Sequence, residues 1–470
     1  MMVSKRFIVS VIIIASAVVT GWIVGSDGAR AGLNLLGVIV VVPLLALILV
    51  KPYIGIYITM LALPFDRFYA GISFGASILS LFGFFTLAAY LIQTKFVIKS
   101  RLGVTPVYLF AIGFVIWLLI ANPQSAMGDR NWIFTYVQLI VLMWLAAELM
   151  TPRRQIEFML LYALIISVPA IASLTQGRLD TTIFTTERAE GFVENANVFA
   201  MYLLAAVPMA LRFLISQSTT LLTRLVLLVA LALAIMGIVF SVSRTGAVAL
   251  GALFVMGIVL YPKLAAGATA RQRTRNILNL FVVLVALVFI GSRLIPQQYW
   301  LILREAQRQI EEGGTADRGT FLQRLDLWEL AIQDWQKSPI IGIGTDAFRD
   351  AHESVVHSMY LSILTEQGII GLVLFGGWLA VAIGNLIRVA YFSRDQEEVS
   401  LAATWLMVMA SVLIVGITNS FHYYKVHWFV AGISMTYALP KVSLRRAGKN
   451  EETAPALGAK VLGDTAGQTT

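Results

Sequence analysis

The sequence contains no cysteine and only 4 histidines among its 470 residues. The first absence excludes a disulfide scaffold, a thiolate nucleophile and any Cys-ligated metal. The second leaves little for a His-rich metal site. Charge is scarce as well, at 13% Asp, Glu, Lys and Arg, where a soluble domain carries about 25%. Apolar residues make up 58%, and the mean hydropathy is +0.81. So few charges cannot solvate so much apolar surface, which excludes the soluble multi-domain enzyme that length alone suggests. The chain reads as an all-α polytopic membrane protein.

Runs of about 17–20 apolar residues cross a bilayer as helices. Such runs fall near 7–25, 32–50, 53–65, 74–93, 104–121, 133–149, 157–174, 196–215, 225–241, 245–261, 277–294, 359–387, 401–418 and 428–440. The expectation is about 12–14 transmembrane helices within a domain covering 1–440. The shortest run, 53–65, is short enough for a re-entrant segment. The first run follows Lys5 and Arg6 as a signal peptide would, but it is longer than such a core and no small-x-small cleavage site follows. The residues of 441–470 are small, polar and aperiodic, as in a disordered cytoplasmic tail.

The net charge of +9 would suggest nucleic acid in a soluble protein; in a membrane protein it is first a matter of sidedness. With the N-terminus in the cytoplasm, the inner segments hold 21 of the 35 basic residues and 8 of the 26 acidic ones. The positive-inside rule requires that bias, so no nucleic-acid partner is expected. The same assignment places both termini in the cytoplasm. It also argues that 53–65 crosses, because omitting it would invert every later loop.

Two long connections then face outward, 175–195 and 295–358. A connection as long as the second is expected to fold. Thr320-x-x-Gln323 has capping-box spacing, and Phe321, Leu325, Trp328, Ile332 and Trp335 form one helical stripe. Ser338-Pro339 ends that helix, and Gly342 and Gly344 mark a tight turn. An amphipathic stretch over 298–312 suggests a second interfacial helix.

The polar residues of interest lie at this outer rim. Arg188 precedes a span, and Arg244 occupies so short a connection that it sits near two helix ends. Arg324 is on the loop helix, with Asp317 or Asp326 as an ion-pair alternative. His357 opens the span beginning HSMYLSIL. An arginine at a helix mouth can be a snorkelling anchor, but Arg244 has no acidic neighbour, and phosphate is the natural partner of such a cation. His352 and His357 are five apart, about 140° around a helix, whereas a helical zinc pair needs a spacing of four. No metal site is expected. His357 by itself is either a satisfied interface residue or a general base near neutral pH.

In order along the chain stand RAEGFVENANVFAMYLLAAVPMA at 188–210, SVSRTGAVALGAL at 241–253, and RLDLWELAIQDWQKSPIIGIGTDAF followed by HSMYLSILTEQGIIGLVLF across 324–375. This ordered set resembles the O-antigen ligase and O-antigen polymerase superfamily of lipid-linked glycan transferases, with the family-like region at about 188–375. The resemblance implies transfer of a glycan from undecaprenyl pyrophosphate to an acceptor hydroxyl at the periplasmic face. It implies no cofactor or metal, and inversion at the anomeric carbon. Arg188, Arg244 and Arg324 would hold the pyrophosphate, and His357 would be catalytic. Glu194, Asn195, Asn197, Ser358 and Glu366 would be secondary site residues. Ser358 departs from the family, which often has Asn there. The acceptor could be lipid A–core, a growing surface polysaccharide or a protein hydroxyl. A small-solute transporter, of inorganic carbon for example, is the rival from another class.

Overall fold

A computed structural model of the chain describes residues 42–69, 78–96, 105–121, 132–176, 189–193, 195–216, 219–265 and 320–437. The expected spans at 7–25 and 277–294, the stretch 298–312 and the tail 441–470 lie outside these residues. Within them the regular structure is helical throughout. Seven described helices are long and apolar enough to cross a membrane, and three shorter apolar ones accompany them. The protein is an all-α, multi-pass membrane protein.

The helices are α1 (Tyr53–Ala62), α2 (Ile78–Phe96), α3 (Pro106–Ala121), α4 (Trp132–Leu149), α5 (Pro152–Ile165), α6 (Ser167–Gln176), α7 (Ala196–Ile215), α8 (Leu221–Phe240) and α9 (Arg244–Leu264). After the undescribed stretch come α10 (Thr320–Lys337), α11 (Ala347–His352), α12 (Met359–Phe392), α13 (Gln396–Gly416) and α14 (Lys425–Thr436).

Helix α7 is apolar on every side and is buried on every side, as such a helix must be. It packs against α5, α8, α9 and α13. Its many alanines allow close approach, the usual device where lipid supplies no hydrophobic drive for helix association. Helix α13 is the second central rod, and Trp378, Trp405 and Trp428 fill the space around it. Outward-facing apolar residues such as Leu221, Leu222, Val229 and Val255 are exposed, as a lipid-facing surface requires.

Hydrogen bonds between connections sort them into two sets. In one, Ala189 donates to the Phe240 carbonyl, Arg67 to Phe192, and the Thr245 and Thr418 hydroxyls pair. In the other, Gln93 donates to Leu49 and Val50, Tyr57 to Arg154, and Ser400 to Leu264. These are the two sets that alternating spans produce. The run 53–65 joins them: Arg154 lies over the Tyr53 ring, while Arg67, just past the run, pairs with Glu190. The first set, which carries 320–358, is called the loop end below.

Candidate functional site

At the loop end the segment 189–197 and the turn 241–243 form one structure. Asn195 caps α7, its side chain accepting from the Asn197 and Val198 amides. The buried Asn197 accepts from the Ser243 hydroxyl at 2.8 Å. Ser243 in turn caps α9 by accepting from the Gly246 amide. The Asn-rich helix start and the Ser-Val-Ser-Arg turn are therefore bonded to each other. Between the two serines Val242 has φ 50°, a left-handed conformation that a β-branched residue adopts only under constraint. Arg244, the first residue of α9, is exposed at this strained turn. Arg188 and Glu194 lie outside the described residues; Ala189 and Asn195, their chain neighbours, are part of the assembly just described.

The loop helix α10 begins at Thr320 and ends at Lys337, before Ser338-Pro339, as the sequence suggests. Its packed face differs from the expected stripe. Leu327, Trp328, Leu330 and Ala331 pack with Phe348 and Val356, while Leu325 and Ile332 are 41% and 43% exposed. The reason is tertiary: α10 buries the face that meets α11 and the first turns of α12, and the rest of the stripe, with Ile340 and Ile341, projects outward. Asp334 is buried beneath this module. Burial pushes its carboxyl up, but hydrogen bonds from Lys337 and His352 outweigh that and hold it below the usual carboxylate range. His352 thus belongs to the module's own packing.

The turn 339–344 has a partner that explains the Glu-x-Gly sequence of α12. Gly368 has φ 67° and ψ −171° inside α12, breaking it into two helices. The Ile343 and Gly344 amides donate to the Thr365 and Glu366 carbonyls, and the Ile369 and Ile370 amides donate to the Pro339 and Ile340 carbonyls. Backbone groups freed by the break are thereby satisfied within protein, as membrane-embedded backbone requires. The approach is so close that a Cβ on Gly368 would sit 2.2 Å from the Ile340 carbonyl oxygen, and one on Gly342 would sit 2.4 Å from the Glu366 backbone. Glu366 is buried, its charge acting on Tyr136 of α4.

His357 stands where the module enters α12. It has φ 54° and is half-buried, and Ser358 behind it caps α12 by accepting from the Leu361 amide. Burial and the positive charge of Arg324 both hold the His357 imidazole below its ordinary value, so it is neutral at pH 7. The charge of Arg324 thus reaches His357. The turn carrying Arg244 is tied toward α12 by side chains: the Thr245 hydroxyl pairs with that of Thr418, just past α13, and a Cβ on Gly416 of α13 would meet Met359 at the start of α12. A further tie is the Trp132 indole donating to Asp346, itself left-handed at φ 61°. Ser243, Thr245 and Asp346 lie inside the motif segments and Thr418 and Trp132 outside them; the partners of all five are set by contacts across long sequence separations.

Residues 228–376 match the family model described as O-antigen ligase. The match contains Arg244, Arg324, His357, Ser358 and Glu366, and lies downstream of Arg188, Glu194, Asn195 and Asn197. The chain carries a domain of the O-antigen ligase and polymerase superfamily. No curated protein matches the chain.

Proposed function

We propose that the loop end transfers a glycan from undecaprenyl pyrophosphate to an acceptor hydroxyl on the periplasmic side of a bacterial inner membrane. The observation that carries this reading is a half-buried, neutral His357 at the strained entry to α12, within reach of the Arg324 charge. That entry is tied through Thr418 to the turn that presents Arg244. A base and fixed cations are the two things the reaction needs.

The acceptor O–H would give its proton to His357 as its oxygen attacks the anomeric carbon. The carbon–oxygen bond to the pyrophosphate breaks, and the leaving pyrophosphate takes the electron pair. Guanidinium groups of Arg188, Arg244 and Arg324 would balance the charge that develops there, at a membrane edge where such interactions are worth more than in water. Displacement from the face opposite the pyrophosphate inverts the anomeric configuration. The residues that perform these steps are all side chains, so the mechanism invokes no metal.

The ligase reading, with lipid A–core or a growing surface polysaccharide as acceptor, leads; polymerisation and protein O-glycosylation are its variants. A transporter would place polar binding groups near the membrane midplane, often at a broken helix. The break in α12 instead has the backbone of 339–344 laid against it. The deciding experiment is the surface-polysaccharide gel of a deletion strain complemented with Arg244→Ala or His357→Ala. Loss of attached polymer in both supports transfer, and unchanged polymer length and attachment in both removes it.

A further inference from the structure

Asp334, near the end of α10, is a buried carboxylate that the transfer mechanism does not use. Its two oxygens have different partners. Lys337, exposed and one turn on, donates to Oδ1 at 2.6 Å, a contact within one helix. His352, the last residue of α11, donates from Nε2 to Oδ2 at 2.7 Å. Of the two, the second joins separate elements. A buried carboxylate is costly to desolvate, and apolar side chains of similar size hold helices together as well or better. What a directional contact adds is register.

Helix α11 depends on such anchors. It has six residues, too few to stand as a helix without tertiary support, and left-handed residues bound it, Asp346 at φ 61° and Glu353 at φ 51°. Its start is tied to α4, where the Trp132 indole donates to Asp346. Its end is tied to α10 by His352, whose ring lies 4.5 Å from that of Phe348. Phe348 in turn shares a buried cluster with Ala331 of α10 and with Val356. Beyond His352 the chain passes from left-handed Glu353 to left-handed His357, a strap pinned at Val356 and strained at both ends.

The lengths agree. Arg324 and Asp334 are ten residues apart on α10, about 15 Å along its axis. His352 and His357 are five residues apart, which can span up to about 17 Å. With His352 on Asp334, and His357 within the field of Arg324, the strap runs back along α10 and covers the distance between the two.

We infer that Asp334 and His352 are positioning residues for transfer, their contact fixing how far the strap reaches along α10 and so where the His357 ring stands relative to Arg324. The inference rests on the transfer reading above and adds a pair outside its machinery that sets its geometry. Neither residue touches substrate. Each acts through His357.

The test uses the full-length protein in nanodiscs with isotope-labelled histidine. The chain has four histidines, so the His357 signal is assigned by its loss in His357→Ala. Burial and Arg324 hold this imidazole below its ordinary value, and a ring drawn away from both titrates at higher pH. His352→Ala and Asp334→Ala should each raise that titration. Each should also lower kcat by about 10- to 100-fold, with lipid-linked glycan extracted from the same bacterium as donor and with KM for it little changed. The double variant should lose no more than either single one, as members of one contact do. His352→Gln, which keeps a donor near the Nε2 position, should restore most of kcat and of the titration. Lys337→Gln, which breaks only the contact within α10, should leave both in place.

A lowered melting temperature with the His357 titration and kcat per folded molecule unmoved would make the pair a packing contact and overturn the inference. Should His352→Ala fail to fold, His352→Gln set against His352→Leu, similar in size and without a donor, makes the same comparison. The titration needs no substrate, so the two readings fail separately. A titration that moves in a protein that transfers nothing removes the reaction and leaves the placement. Normal kcat in a folded His352→Ala protein removes the placement and leaves the reaction.

Discussion

The two ends of the helix bundle are built from similar residues and in opposite ways. At the end away from the loop, the buried Gln155 side chain is fully occupied. It donates to the Met150 carbonyl and the Thr436 hydroxyl, and accepts from the Trp405 indole and the Tyr437 hydroxyl. Arg154 and Arg224 cap carbonyls of their own connections. At the loop end stand all the described residues with positive φ, among them the non-glycines Val242, Asp346, Glu353 and His357. Buried side-chain atoms without a described hydrogen-bond partner occur at both ends, in His422 and Ser420 at the loop end and in Arg212 and Arg224 at the other, so the strained backbone is what sets the loop end apart. Satisfied networks hold a fold in one state, whereas backbone strain persists only where surrounding structure sustains it, and it gathers at functional sites. The difference separates an end that holds helices together from an end that is arranged to act.

The largest effect that would sharpen this contrast is at His357. His357→Ala is expected to cut transfer by about 10²–10⁴-fold, the usual scale for a general base, and to leave the melting temperature in place. A melting point that falls in step with activity would make His357 a packing residue and dissolve the distinction. Next, Gly368→Ala should destabilise the protein by about 3 kcal/mol, because a Cβ meets the Ile340 carbonyl at a backbone conformation reserved for glycine. Thermal unfolding in detergent measures it, and near-wild-type stability would mean the turn and the break are not locked together.

Gln155→Leu probes the other end. It strands several buried polar groups and should cost about 2 kcal/mol, with transfer per folded molecule unchanged. Lost activity in a fully folded Gln155→Leu protein would break the comparison outright. The smallest expected effect is electrostatic. The imidazolium form of His357 is disfavoured by burial and by Arg324, so transfer should persist as pH falls through 6.5 and fail only below it. Removing the cation in Arg324→Gln lets the imidazole protonate more readily, which moves the acid limb upward. A pH profile of transfer reads this shift. A limb that stays in place would mean Arg324 does not act on the base.

Much of this architecture is visible along the chain. The span 196–215 coincides with α7, and 245–261 lies within α9, because long apolar runs in a charge-poor chain permit little else. The end of α10 at Ser338-Pro339 and the turn at Gly342 and Gly344 are local signals, legible because proline and glycine act on their own backbone. The packed face of α10 was not legible. Periodicity identifies an apolar stripe but cannot say which half of it meets α12 and which, with Leu325 and Ile332, faces the surroundings.

The sequence by itself determined that this is a multi-pass helical membrane protein, since 13% charge against 58% apolar residues admits no soluble packing. It also singled out Arg188, Arg244 and His357, because polar residues at span mouths stand out against hydrocarbon, and Arg324 on the loop helix. Tertiary structure decided what those residues have for company. The Ser243–Asn197 bond, the Thr245–Thr418 pair and the 339–344 turn laid against the break in α12 each join segments separated by tens to hundreds of residues. No local pattern encodes such contacts. They exist because buried backbone and hydroxyl groups in a membrane protein have to find partners within the fold, and folding alone determines which partners come within reach.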